Sequence, residues 1–349
     1  MNKKLTIKIG ILILLVIIIV GLIFYFNNKD KVFLFIYKNI PITSKTIDGI
    51  KFPNDEADWE KKDIEWNYLA GILNDKKNPE RKFGIMMKFD HNGKGPQIFV
   101  SDINKQEKYF ASTSDDIKSI SSSRLFLMSG KNYWATKSIF TYKIKWETEK
   151  IAVDFDLKAI KKPIIAANEV YHLYRVQPRV EIDGSLVING EVYNIRGTGW
   201  IDHEGFVRIA FDFVSEWRWT AVQLNTGEEL MFGKIFFTRD GSPESSEYMF
   251  LYEKDSSGSN YKKIEKGKYK LEEVDWWTSP EFGTTYPVSF KLSIPSENTF
   301  LKIDSLMKDS IFRNSPGFYS STCNVSGQFR GIDVNGWAQF ENIKINLLK

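Results

Sequence analysis

The sequence predicts an all-β protein of antiparallel barrels or sandwiches carried behind one N-terminal transmembrane helix. Three observations lead there. Apolar residues alternate with period two through most of the chain, turn signals containing Gly separate the alternating runs, and an uncharged apolar stretch of membrane-spanning length stands at the N-terminus. With 349 residues and 42% apolar side chains, the chain has material for two packed cores.

The helix comes first. Ile9 to Phe26 is a run of 18 residues without a charge, 15 of them Ile, Leu, Val or Phe, and the helix is expected over residues 5–26 of an anchor segment 1–31. At about −0.3 to −0.6 kcal/mol per such residue, insertion outweighs the roughly +3 kcal/mol of one central lysine, and Lys8, near the end, can snorkel. A cleaved signal peptide fits less well, because the run exceeds a usual signal core and Phe24 to Asn28 holds no small-residue cleavage site. Lys3 and Lys4 precede the helix while Lys29 and Lys31 are offset by Asp30, so the positive-inside rule places the N-terminus in the cytoplasm and the main domain outside it. Residues 32–50 read as a juxtamembrane linker, with Val32 to Tyr37 apolar enough for a short strand or an interfacial segment.

Strands follow. Phe83 to Phe89, Ser138 to Trp146, Lys150 to Leu157, Val207 to Val214, Glu229 to Phe237 and Val288 to Ile294 alternate or cluster β-branched and aromatic residues. His91-Asn92-Gly93, Ile182-Asp183-Gly184, Ile188-Asn189-Gly190, Arg239-Asp240-Gly241 and Ser256-Ser257-Gly258 supply the positive φ of tight turns. Leu306 to Phe312 reads as a short helix and Ser242 to Ser259 as an exposed hairpin loop. A seam between Gly205 and Trp217 divides the domain into 51–210 and 211–349.

Composition excludes several classes. The charge excess of +4 is carried by the lysines of the first 31 residues, which leaves a neutral domain without the basic footprint of a nucleic-acid binder. Cys323 is the only cysteine, so no internal disulfide or thiolate cluster forms. His91, His172 and His203 show no paired-ligand spacing, so no metal is expected, and no cofactor either. Aromatic residues reach 15%, which points instead to β cores or to a pocket for a hydrophobic small molecule or lipid.

Four clusters stand out in order along the chain. They are Ile64-Glu65-Trp66-Asn67-Tyr68 with Gly71; Tyr171-His172-Leu173-Tyr174-Arg175; Gly197 to Gly205 around Trp200-Ile201-Asp202-His203, followed by Trp217-Arg218-Trp219 and Gly227 to Met231; and Gly317-Phe318-Tyr319 leading to Gly336-Trp337. Taken together, over about residues 52 to 345, they resemble the AttH-like and carotenoid 1,2-hydratase (hydroxyneurosporene synthase) family. That resemblance implies two lipocalin-like antiparallel β-barrels side by side. It also implies a site in which Asp202 donates a proton to an isoprenoid double bond and water captures the cation, with His172, Tyr174 and Trp200 around it. A carboxyl among rings is desolvated, which raises its pKa toward a range useful for donation, and ring faces stabilise a carbocation. Glu65, Trp66, Tyr68, His203, Trp217, Trp219 and Tyr319 are the accompanying candidates for ligand contact. Asn67, Tyr174, Trp200 and Gln339 depart from the hydratase pattern, where Trp, Trp, Tyr and Glu stand.

The residues also admit plainer roles. Asp202 and His203 read equally as a buried hydrogen-bonded pair, His172 as a core histidine, and Glu65 as the partner of Arg175 or Arg196. Three functions stay open: an acid-promoted hydratase or isomerase, a non-catalytic carrier or receptor for a lipid at the cell surface, and a structural surface module.

Overall fold

The computed structural model describes residues 42–347 apart from 43, 48–49, 58–61, 92–94, 114–115, 169–171, 209–212, 240–241, 255–260 and 313–314. The expected membrane helix and most of the linker fall outside these residues. Among the described residues no helix is long and apolar enough to cross a membrane.

Nearly everything from Ile64 onward is antiparallel strand, arranged as two curled half-barrel sheets of twelve and ten strands. The first begins with a meander of Ile64–Asp75, Lys82–Asp90, Gln97–Asp102 and Glu107–Ser112, and ends with the long hairpin His172–Ile188 and Glu191–Phe206. Its last strand returns to its first, from Phe206 opposite Ile64 to Ile195 opposite Asp75. The second repeats the plan. Val214–Leu224, Glu229–Arg239, Ser242–Tyr252 and Tyr261–Lys263 form the opening meander, Ser315–Phe329 and Ile332–Lys344 the closing hairpin, and Leu224 lies opposite Gly336 where first and last strands meet. In both, the ring of strands stays open between the fourth and fifth strands, and a short extra strand, Ile164–Asn168 or Ile311–Phe312, pairs with the penultimate one. The halves therefore share one topology, and among the described residues each expected barrel is an open half-barrel.

Alternation allots side chains to three apolar layers. Leu69, Phe83, Phe89, Trp134, Trp146 and Phe155 fill the concave side of the first sheet. Tyr286, Phe290, Leu301, Tyr319, Cys323 and Phe340 fill that of the second. The intervening residues of the same strands face the other way: Trp66, Tyr68, Tyr174 and Trp200 of the first sheet pack against Trp219, Met231, Tyr252 and Phe318 of the second. The two half-barrels thus meet back to back along an aromatic seam. Polar groups bolt it. Gln223 Nε2 donates to Pro178 O at 2.9 Å and Gly199 O at 2.7 Å, and Glu229, fully buried, receives Lys161 Nζ at 2.6 Å together with Arg179 Nε.

Several local expectations change. Of Val207 to Val214, Val207, Arg208 and Phe213 lie outside any strand, the next strand begins at Val214, and 209–212 lie outside the described residues. Asp183-Gly184 sits inside a strand, paired with Asp156 and Phe155, because Gly184 at φ +151° lets Asp154 O approach where a Cβ would clash. Leu306 to Phe312 holds no helix, and Ser242 to Tyr252 is a strand paired along its length with Glu229–Arg239. Asn189-Gly190 does form the tight turn, at φ 49° and 85°. The Asn92-Gly93, Asp240-Gly241 and Ser256-Gly258 signals fall outside the described residues.

Candidate active site

The closing hairpin of the first sheet carries the central carboxyl. Register sets Asp202 opposite Tyr68 and Glu204 opposite Trp66, and the even-numbered positions 66, 68, 200 and 202 all face the seam. Asp202 is 5% exposed, its Oδ1 accepting from Trp200 Nε1 at 2.5 Å and its Oδ2 from the Tyr174 hydroxyl at 3.0 Å. Burial, with the charge of Glu204 added, pushes its pKa well above the usual carboxylate range, against the opposing bonds from Trp200 and Tyr174. The aromatic surroundings thus favour the protonated form of the group, the form a proton donor to carbon requires.

The second sheet supplies the opposite wall. Trp217 stacks on Trp66 with ring centroids 6.1 Å apart, Trp219 meets Tyr68 and Trp200 edge-on, and Glu341 lies opposite Trp219 in the sheet. Glu341 is buried, and desolvation raises its pKa to about 7 against the pull of Tyr68, Ser320 and Lys88. Ser320 Oγ donates to it at 3.2 Å and accepts from Gln339 Nε2 at 2.8 Å. Lys88 Nζ sits 4.9 Å over the Trp66 ring. Trp219 Nε1 is buried and meets no acceptor, which leaves a donor for the oxygen of a bound molecule. Between these walls lies a cavity of about 50 Å³, enough for roughly four waters.

Among the residues the sequence singled out, Asp202, Tyr174, Trp66, Tyr68, Trp217 and Trp219 line this cavity, and Trp200 touches it through Asp202. His172 stands one step back, its Nε2 2.8 Å from Glu204 Oε1 and its ring 4.1 Å from that of Phe206. Tyr319 packs inside the second half-barrel against Tyr286 at 4.8 Å, away from the seam. Glu65 and His203 turn to the concave face of the first sheet, where Glu65 Oε1 lies 2.6 Å from His203 Nε2; His203 thus points away from Asp202, and burial with the nearby His91 pushes its pKa well down. Glu341, Glu204, Lys88 and Tyr248 are among the further lining residues and were not sequence candidates. The signal for Glu341 was its place two residues beyond Gln339, on the same face of a strand.

Two half-barrels of one topology, sharing a seam that buries an acid among aromatic rings, define a lipocalin-like double-barrel protein. The AttH-like family model matches residues 44–341, and the chain belongs to that family. No curated protein matches the sequence. Among solved structures, a Nitrosomonas europaea protein described as AttH superposes with a TM-score of 0.68 at 16% identity, over 88% of this chain and 100% of that one. Kievitone hydratase from Nectria haematococca follows with 0.65 at 13% identity, over 88% and 97%. CghA bound to Sch210972 gives 0.58 at 8% identity, over 88% and 95%. At such identities these likenesses speak for the fold.

Proposed function

We propose that this protein hydrates or isomerises a carbon–carbon double bond of an apolar, isoprenoid-like substrate held in the aromatic seam. The observation that carries the reading is Asp202: a buried carboxyl that accepts from Trp200 and Tyr174 and faces a cavity walled by Trp66, Trp217 and Trp219. In the hydration reaction the Asp202 proton goes to one alkene carbon and leaves a carbocation on the other. The ring faces stabilise that cation. Water adds to it and loses a proton to Glu341, whose pKa of about 7 leaves it partly ionised at neutral pH. Proton return from Glu341 to Asp202 through solvent restores the site. Isomerisation follows if the cation loses a different proton instead. The name of kievitone hydratase, a structural neighbour, agrees with hydration chemistry on this fold.

The apolar segment Ile9 to Phe26 suits a tether that keeps the seam near a membrane source of substrate. Protease added to intact cells should then cleave the folded domain; a fully protected domain would place it in the cytoplasm. The catalytic reading is tested by Asp202→Asn, expected to lose turnover at least about 100-fold, the usual worth of a general acid, with unchanged thermal midpoint. Equal activity in the variant removes Asp202 from the mechanism. The rival role as a carrier has less room, since both concave interiors are filled by side chains; it would be favoured if wild type and variant retained the same unmodified lipid in the seam.

A further inference from the structure

On the other face of the strands that carry the acid site, three metal-type ligands converge in the interior of the first half-barrel. Glu65, His91 and His203 are 2%, 5% and 6% exposed, and one ligand atom from each lies within 4.8 Å of the others. Glu65 Oε1 is 2.6 Å from His203 Nε2 and 3.2 Å from His91 Nδ1, and the two imidazoles stack with centroids 5.6 Å apart. The remaining nitrogen of His91, Nε2, lies 2.6 Å from Asn67 Oδ1. With that amide oxygen accepting, His91 would carry its proton on Nε2 and turn the Nδ1 lone pair to the carboxylate oxygen. A cation placed between the buried imidazoles and the carboxylate would be held by all three side chains.

We propose that Glu65, His91 and His203 bind one divalent transition-metal ion of the zinc type. Two imidazole nitrogens and one carboxylate form a recurrent zinc donor set, and donors about 2.0–2.1 Å from an ion at tetrahedral angles stand roughly 3.3 Å apart, within the spread found here. Nitrogen-rich donors select zinc, cobalt or iron over magnesium and calcium. Asn67 fixes the His91 tautomer as an outer partner of such a site does. A small cavity is bordered by Asn67 and by His203, one of the three ligands. Arg175 borders the same cavity and its positive charge reaches His203, so the ion is held less tightly than in an all-anionic site and exchanges with chelators.

The ion would act on the acid site through the strands. Glu65 precedes Trp66 and His203 follows Asp202, while His91 directly follows the neighbouring strand Lys82–Asp90. One ion would tie three adjacent strand ends whose alternate residues wall the seam, and this makes the ligands positioning residues.

The test is a titration of the chelator-treated, full-length protein with Co²⁺, read by visible absorbance and by the thermal midpoint. One equivalent should give ligand-field bands and raise the midpoint, and Zn²⁺ should abolish the bands by displacement. His91→Ala and His203→Ala should remove them, and Asn67→Ala should weaken binding about 10-fold or more. Asp202→Asn should keep them, since it faces the other side. Wild-type protein that shows no stoichiometric bands and no midpoint shift with either metal would overturn the proposal, leaving a proton between His91 and Glu65; that reading needs no variant to fold.

Discussion

A single carboxyl governs the chemistry proposed here, and its neighbours make its behaviour measurable. Asp202 must hold its proton while Glu341 has given its own up, so activity should rise with pH through about 7 as Glu341 ionises, and fall where Asp202 loses its proton. In Glu341→Gln the rise near 7 should vanish from the rate profile; a profile that keeps it assigns the lower limb to another group. A second buried carboxyl reports on stability alone. Glu56 sits among Tyr142, Thr136 and Gln177, and burial lifts its pKa from 4.5 to about 7. The folded state therefore binds this proton more tightly than the unfolded state, and stability is lost as pH rises from 4.5 through 7. By the linkage relation the loss approaches about 3 kcal/mol. Glu56→Gln should accordingly gain on wild type in thermal midpoint as pH increases from 5 to about 8, and a gap that does not change with pH would show that Glu56 ionises freely in both states.

Strand alternation is the link between sequence and site. Period two was legible from the residues, and so were most strands, because β-branched and aromatic side chains declare themselves locally. Which face a strand buries was less so. Glu65 and Trp66 are neighbours in sequence yet serve opposite sides of one sheet, and both sides are buried, so polarity alone gave no means of sorting them. The Glu65–His91–His203 cluster was hidden for a related reason: its members are separated by 26 and 112 positions, and only strand register unites them. Asp183-Gly184 misled as a turn because a glycine needed for close strand approach carries the same letters as one needed for a bend. A close approach also sets the seam. Gly84 of the first sheet would place a Cβ 2.1 Å from Thr322 Oγ1 of the second. Gly84→Val should cost about 1–3 kcal/mol in denaturant unfolding and loosen the aromatic cavity. A variant of native stability would mean that the half-barrels slide past one another at little cost.

At the scale of the molecule, two sheets of one topology fill their concave sides with apolar cores and bring their backs together around the buried acid. The family resemblance read from four motifs agrees with this architecture, while the open edges of both half-barrels came only from the structure. The sheets are joined where Glu229 holds Lys161 and Arg179 in a buried cluster. Removing its charge leaves two cations without their carboxylate, so Glu229→Gln should destabilise by about 3–5 kcal/mol in chemical unfolding. A near-neutral effect would show that backbone carbonyls alone satisfy those cations.

The claim that joins these scales is that the seam delivers a proton from Asp202 to carbon and then water to the cation. Its most direct measurement is mass spectrometry of polyisoprenoid extracts incubated in heavy water with wild-type or Asp202→Asn protein. Wild type should yield a product carrying the elements of one water with one non-exchangeable deuterium on carbon, and the variant none. Full conversion by Asp202→Asn, or a hydrated product without deuterium on carbon, would contradict the account.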